Sequence, residues 1–270
     1  MYTERTPRVV AARHLTKRSA RDRSGRFLVE GAQAVREALV FGTVHELFVT
    51  PTAAARNADL VEAAAGADVR VSRITERAAD GLSVTVTPQG IVAVCDQVDI
   101  PLADALAGSP KLVAVLVGVA DPGNAGTVTR VADAAGANAV IFAGDTVDPH
   151  NGKCVRATTG SLFHLPITRS RDINQALAVC RSAGLRLVAA DGNADDELDS
   201  ADLTLPTAWI FGSEAHGLPE EVHPAIDQSL RVPIHGRAES LNLATAAAIC
   251  LYSSATAQRA GSATSQGGRP

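Results

Sequence analysis

The chain has 270 residues, of which 46% are hydrophobic but only 3% aromatic, and a formal net charge of −4. That length exceeds what one core usually occupies and points to two domains, with cores built largely from alanine and valine. Four cysteines at 95, 154, 180 and 250 include no CxxC pair and no histidine at ligand spacing, which argues against a zinc site or a disulfide framework and fits a reducing cytoplasm.

Apolar stretches such as 112–117 fall far short of the roughly 20 residues a membrane span needs. The N-terminus is rich in arginine and lacks the apolar region of a secretory signal. Charge is uneven. Residues 1–26 hold eight Lys/Arg against Glu4 and Asp22, a net of +6, which leaves −10 on the remainder. This reads as an acidic body with a basic arm, 1–25, able to release counterions from a nucleic-acid backbone. The bland reading of the same charge is a solvated terminus.

After the arm, residues 26–98 alternate apolar strands with amphipathic helices: "RFLVEG", the helix "AQAVREALV", the strand "VHELFVT", a helix 52–65, then "DVRVS" and "GIVAVCD". They form a small α/β unit. The stretch "DQVDIPLADALAGSP" has prolines, a glycine and little periodicity, and predicts a linker at 99–110. In residues 111–258, strand-length apolar runs recur at 112–119, 138–144, 164–168, 185–190, 208–212 and 230–234, with helical stretches between them. Near-continuous apolar strands alternating with helices indicate an α/β domain with a parallel sheet covered on both faces. The small, polar, glycine-rich end, 259–270, predicts a disordered tail.

Ligands of open parallel sheets bind beyond the carboxyl ends of the strands. Three loops there carry polar residues. After the strand at 112–119, Asp121-Pro122-Gly123 turns the chain, Asn124 is placed to cap a helix from about Ala125 to Ala135, and Gly136 ends it. Arg130 lies one turn beyond Thr127 on that helix. The glycines there do not form G-x-G-x-x-G. The second loop, "GSEAHGLPEEV", spaces Gly212 and Gly217 as in a phosphate-binding loop but has Leu218 where the lysine must stand, so an ATPase is excluded. It carries Glu214. The third, "GRAESLNLATAAAI" (236–249), sets Ser240 and Asn242 before an alanine-rich helix. On local grounds Ser240 is the N-cap and Asn242 a solvent-facing residue of the first turn.

Taken together, "NAGTVTRVADAAGA" (124–137), "IFGSEAHGLP" (210–219) and "RVPIHGRAESLNLATAAAI" (231–249) resemble the ordered motifs of the SpoU (TrmH-type) RNA ribose 2′-O-methyltransferases of the SPOUT superfamily. "CVRATTGSLFHLPI" (154–167) matches the stretch that the family carries between the first two motifs, and residues 26–50 resemble its small N-terminal substrate-binding domain. The resemblance implies a catalytic domain with a deep trefoil knot, S-adenosylmethionine folded into it, and a homodimer. It places functional positions at Asn124, Arg130, Glu214, Ser240 and Asn242. Cofactor contacts fall at Gly212, Val232 and Leu241, with Ala190 and Ile234 lining the same cavity. No metal is implied.

Within that resemblance, Arg130 is often given the role of general base, but a guanidinium is effectively always protonated. Binding of an adjacent phosphate, or stabilisation of a developing alkoxide, suits it better, with Glu214 and Asn124 holding it in position. Structured RNA, gripped mainly by phosphates, is the expected partner, through Arg8, Arg13, Arg18, Arg26 and Arg156. The two-domain layout resembles the ribosomal-RNA members, including the thiostrepton-resistance type. Transfer-RNA ribose methylation and a non-catalytic RNA-binding protein of the same fold are the alternatives.

Overall fold

The computed structural model describes residues 1–85 and 87–266. The chain forms two compact units, one of residues 1–98 and 148–164, the other of 99–147 and 165–270.

In the first unit the elements are α1 (Pro7–His14), α2 (Arg18–Ser24), β1 (Arg26–Glu30), α3 (Ala32–Phe41), β2 (Val44–Val49), α4 (Pro51–Arg56), α5 (Ala58–Gly66), β3 (Arg70–Arg73), α6 (Glu76–Leu82) and β4 (Ile91–Asp96). The sheet order is β1-β4-β2-β3, antiparallel except for β2 with β3. The helix expected over 52–65 is two helices, broken at Asn57, whose side-chain amide donates to the Ala53 carbonyl.

The N-terminal residues are folded, which corrects their reading as an arm. Val9, Ala12 and Leu15 recur at helical spacing and are buried in one cluster with Leu28, Phe48, Ile74 and Leu82. Pro7 starts the helix where a missing N–H costs nothing. The Tyr2 N–H donates to the Arg73 carbonyl at 2.7 Å, tying the first residues to the end of β3. Arginine charge hid this apolar spacing.

The second unit begins earlier than the sequence suggests. Ile100 N–H donates to Ile167 O, Arg169 binds Asp99 through Nε and Nη2 at 2.9 Å each, and Ala105 and Leu106 are buried in the unit's core. The expected linker is therefore an edge of this unit and includes the short helix α7 (Leu102–Ala105). Next come β5 (Leu112–Val117), α8 (Pro122–Ala135) and β6 (Ala139–Ala143). After Val147 the chain leaves for the first unit, where it forms α9 (Gly152–Thr158). It returns for β7 (Ile167–Ser170), α10 (Ile173–Ser182), β8 (Arg186–Ala190), β9 (Thr207–Phe211), β10 (Gln228–Leu230) and α11 (Leu243–Gln266). The six strands are all parallel, in the order β10-β8-β9-β5-β6-β7. Every residue of β5, β6 and β9 is buried, as a sheet covered on both faces requires. Trp209, fully buried in β9, donates its indole N–H to Ser254 Oγ of α11 at 2.9 Å.

Three boundaries moved, the first being the strand expected at 164–168, which runs from Ile167 to Ser170. The strand expected at 230–234 ends at Leu230, because Pro233 offers no N–H and the Arg231 guanidinium is turned to the carbonyls of Ala194 and Asp195 and to Glu197. Helix α11 continues to Gln266, through most of the expected tail; residues 267–270 lie outside the described residues.

The excursion 148–164 is held within the first unit by a buried charge cluster. Arg21 binds Asp148 Oδ2 through Nε (2.8 Å) and Nη2 (2.6 Å), and its Nη1 donates to the carbonyls of Leu15 and Thr16, 3.0 Å each. The Val98 N–H donates to His150 Nε2, so the proton of a neutral ring sits on Nδ1, 3.4 Å from Asp148 Oδ1. Burial opposes the charge on Asp148, but His150 and Arg21 outweigh it and hold the carboxyl well below the usual range. Gly160, at φ +106°, lies so close to Glu37 that a Cβ would fall 2.3 Å from Glu37 Cγ. Only glycine closes the excursion this way.

Candidate active site

Because the second sheet is parallel throughout, the loops after β5, β9 and β10 leave it on one edge. They are joined there by an unbroken hydrogen-bonded chain. Asn242 Nδ2 donates to Asn124 Oδ1 at 3.1 Å, and Asn124 Nδ2 donates to Glu214 Oε1 at 2.7 Å. These contacts span 118 and 90 residues of sequence. Asn242 Oδ1 accepts the N–H groups of Ala244 (2.9 Å) and Thr245 (3.3 Å). The N-cap of α11 is thus Asn242 rather than Ser240, and the same side chain serves helix and site. Each amide accepts on one side and donates on the other, so the positive helix end is relayed to the carboxylate.

Local chemistry places each member. Asp121, not Asn124, caps α8: its Oδ1 accepts the Asn124 N–H at 2.8 Å, with Pro122 in the first turn, which frees the Asn124 side chain to face the other loops. Asp-Pro before a helix carried that signal in the sequence. Gly136 ends α8 at φ +77°, as expected. Gly212 cannot be replaced without moving the second loop. A Cβ on it would lie 2.4 Å from Gly217 C, because Ser213 and Gly217 exchange backbone hydrogen bonds of 3.0 and 2.9 Å. That tight return presents Glu214 at the surface.

Arg130 is on the exposed face of α8 with Thr127 and Ala134, six residues beyond Asn124. Ser240 is exposed in the loop leading to α11. Among the described residues, the main chain of 232–241 makes no hydrogen bond. In that stretch Val232 is half-buried, while Ile234 and Leu241 are 39% and 36% exposed. Ala190 ends β8 beside Phe211 and Leu230 of its two neighbouring strands. Uncommitted amides and carbonyls, flanked by apolar side chains and a glycine, suit a flat heteroaromatic group read through the backbone.

Other chemistries lack residues. Burial pushes the Cys180 and Cys250 thiols up to about 12 and raises Cys95 as well, so none is a nucleophile near neutral pH. Among the described residues there is no group of three or more His, Cys, Asp or Glu able to hold a metal, and no helix is long and apolar enough to cross a membrane.

Three cationic candidates of the first unit stand at its surface in loose pairs, Arg8 with Glu46 (3.4 Å), Arg18 with Asp22 (3.8 Å) and Arg26 with Asp96 (3.6 Å), while Arg156 is half-buried beside the buried Glu30 (3.6 Å). Arg13 is exposed. Sequence reasoning did not separate these from Arg21, which is 3% exposed and committed to Asp148.

Comparison with known proteins agrees with this geometry. Residues 111–252 match the model of the SpoU rRNA Methylase family, and residues 6–93 match the MRM3-like substrate binding domain. The chain is 33% identical to the Bacillus subtilis 23S rRNA (guanosine(2553)-2′-O)-methyltransferase RlmP, over 88% of its own length and 92% of the relative's. Among solved structures, an AdoMet-bound rRNA methyltransferase from Sinorhizobium meliloti superposes with a TM-score of 0.81 at 31% identity, covering 92% of this chain and 94% of that one. The SpoU methyltransferase AviRb from Streptomyces viridochromogenes, in complex with AdoMet, gives 0.81 at 29% identity, with 95% and 100% covered. This chain belongs to the SpoU rRNA Methylase family.

Proposed function

We propose that the protein transfers a methyl group from S-adenosylmethionine to a ribose 2′-hydroxyl of 23S ribosomal RNA. The observation that carries this reading is the Asn242–Asn124–Glu214 chain, which gathers three distant segments at one sheet edge beside a loop whose main chain is uncommitted. The main chain at Gly212, Val232 and Leu241 holds the cofactor, with Ala190 and Ile234 beside it. Bound there, S-adenosylmethionine supplies an electrophilic methyl carbon.

The remaining work falls to side chains. Glu214 keeps one carboxylate oxygen on Asn124 and has the other available to accept from Arg130 or from the ribose hydroxyl. Asn124 and Asn242 fix where that carboxylate points. The Arg130 guanidinium binds a phosphate next to the target ribose or stabilises the developing charge on the oxygen, an effect worth roughly 3–4 kcal/mol in comparable sites. The hydroxyl proton passes to the second Glu214 oxygen or to water as the methyl leaves the sulfonium and a thioether departs. Ser240 adds a hydroxyl that orients the sugar. Holding acceptor and donor in line supplies much of the rest.

Exposed cations of the first unit, Arg8, Arg13, Arg18 and Arg26, with the half-buried Arg156, grip RNA by its phosphates. That unit holds fifteen Lys/Arg against twelve Asp/Glu, and the second ten against seventeen. Phe27 and Phe48 are fully buried, whereas Phe41 is 60% exposed, so aromatic stacking adds little beside the cations. Binding is therefore salt-sensitive.

The active form is a homodimer with a trefoil knot in the second unit. An exposed stripe on α11, Thr245, Ile249, Tyr252 and Thr256, supports the dimer, since Ile249 and Tyr252 are 36% and 48% exposed. Four buried cysteines, none of them in a disulfide, fit action in the reducing cytoplasm. Calorimetry tests the cofactor site: S-adenosylmethionine is expected to bind wild-type protein and to fail with Gly212→Val, and failure with both would remove the reading. Light scattering tests the dimer.

A further inference from the structure

A second concave site lies at the opposite edge of the same sheet. At the amino ends of β5 and β6 a crevice of about 290 Å³ is bordered by Ser109, Lys111, Gly136, Asn138 and Arg259. Its lining contains two cations and no Asp or Glu, in a unit where acids outnumber bases by seventeen to ten. That concentration runs against the charge of its surroundings.

The polar groups around it are tied down so that donors face outward. Asn138 Oδ1 accepts the N–H groups of Lys111 (2.8 Å) and Leu112 (3.1 Å), which leaves its Nδ2 as a donor. Gln258 Nε2 donates to the carbonyls of Lys111 (3.0 Å) and Leu205 (2.9 Å), pinning the backbone under the lysine. Arg259 Nη2 lies 3.4 Å from the Ala135 carbonyl, and a Cβ on Gly136 would fall 2.9 Å from that same nitrogen. Glycine at 136 therefore both ends α8 and lets the guanidinium lie across its terminus. A planar fork, an ammonium, an amide N–H₂ and a hydroxyl around one crevice match the oxygens of a phosphate.

We infer that this crevice is a phosphate-binding site, and that the phosphate belongs to the RNA backbone. β5 has six residues, so the site lies about 20 Å from the catalytic edge. It anchors RNA several nucleotides from the ribose that is modified. The RNA source rests on the methyltransferase reading; phosphate recognition itself does not.

The test uses the full chain and the double variant Lys111→Gln/Arg259→Gln, with thermal unfolding as the control for folding. Binding of a ribosomal-RNA transcript is measured from 50 to 300 mM salt. Loss of one phosphate contact is expected to flatten the slope of log K against log salt by roughly 0.7–0.9, to raise KM for RNA several-fold and to leave kcat at saturating RNA unchanged. In parallel, inorganic phosphate is titrated by calorimetry. Sub-millimolar binding that the double variant loses, with an unaltered RNA slope, supports phosphate recognition but assigns the site to a free phosphate or mononucleotide. An unaltered slope together with no phosphate binding below 10 mM overturns the proposal. Failure of methyl transfer in the wild type, with phosphate binding intact, would count against the catalytic reading alone.

Discussion

Two polar networks in this molecule each join residues about a hundred positions apart, yet they do opposite work. Arg21, Asp148 and His150 are at most 3% exposed, and the Arg21 nitrogens and Asp148 oxygens are occupied by protein partners. Glu214 and Asn242 are exposed and Asn124 is half-buried between them, and their chain ends in a carboxylate with an oxygen to spare. A buried, saturated cluster fixes a chain excursion in place. An accessible, partly satisfied one is available to a substrate. Long sequence separation is common to both, so burial and leftover bonding capacity distinguish architecture from chemistry.

Replacing Arg130 tests the exposed network most severely. Arg130→Ala, and Arg130→Lys nearly as strongly, are expected to lower single-turnover methyl transfer by about 10²–10³-fold while S-adenosylmethionine affinity is unchanged. A lysine variant with near-wild-type turnover would show that any cation suffices. In the buried network, Asp148→Asn leaves Arg21 without its counter-charge and should cost about 3–5 kcal/mol in denaturant unfolding. Turnover at low temperature should fall far less than stability.

The same pair predicts a pH response with a definite sign. The Asp148 carboxyl is held below its unfolded value, so its contribution to stability is complete above pH ~4 and is lost as pH falls through the folded value. Denaturant-unfolding midpoints of wild type and Asp148→Asn, measured at a series of pH values, are expected to converge as pH falls below ~4; a constant gap down to pH ~2 would contradict the assignment. A smaller effect separates the two roles of Asn242. Asn242→Asp keeps an acceptor for the α11 N–H groups but cannot donate to Asn124, so it should retain stability and lose activity. Asn242→Ala should lose activity and about 1 kcal/mol besides. Full activity in Asn242→Asp would mean that the side chain is only a cap.

Much of the second unit was legible because fully buried parallel strands are written as unbroken apolar runs, and polar residues stand out at their ends. The end of β10 was not, since Val232 and Ile234 are apolar for the sake of a loop rather than a strand. Local reading puts the α11 cap at Ser240, two residues before the Asn242 that provides it, and gives Asn124 the cap that Asp121 provides; only the resemblance of the motifs places both asparagines among the functional positions. In the first unit, charge masked fold: Val9, Ala12 and Leu15 lie among arginines, and the opening residues looked unfolded. Nothing local revealed that 148–164 belongs with the N-terminal unit, because the signal is a contact between Arg21 and Asp148 across 127 positions.

The most direct measurement is mass-spectrometric nucleoside analysis of unmodified 23S rRNA incubated with the pure protein and methyl-labelled S-adenosylmethionine. One labelled 2′-O-methylnucleoside should form with the wild type and be absent with Arg130→Ala and with Glu214→Ala. Label on a base, or its absence from the RNA while the wild-type protein binds the cofactor, would contradict a ribose-methylating site at these three loops.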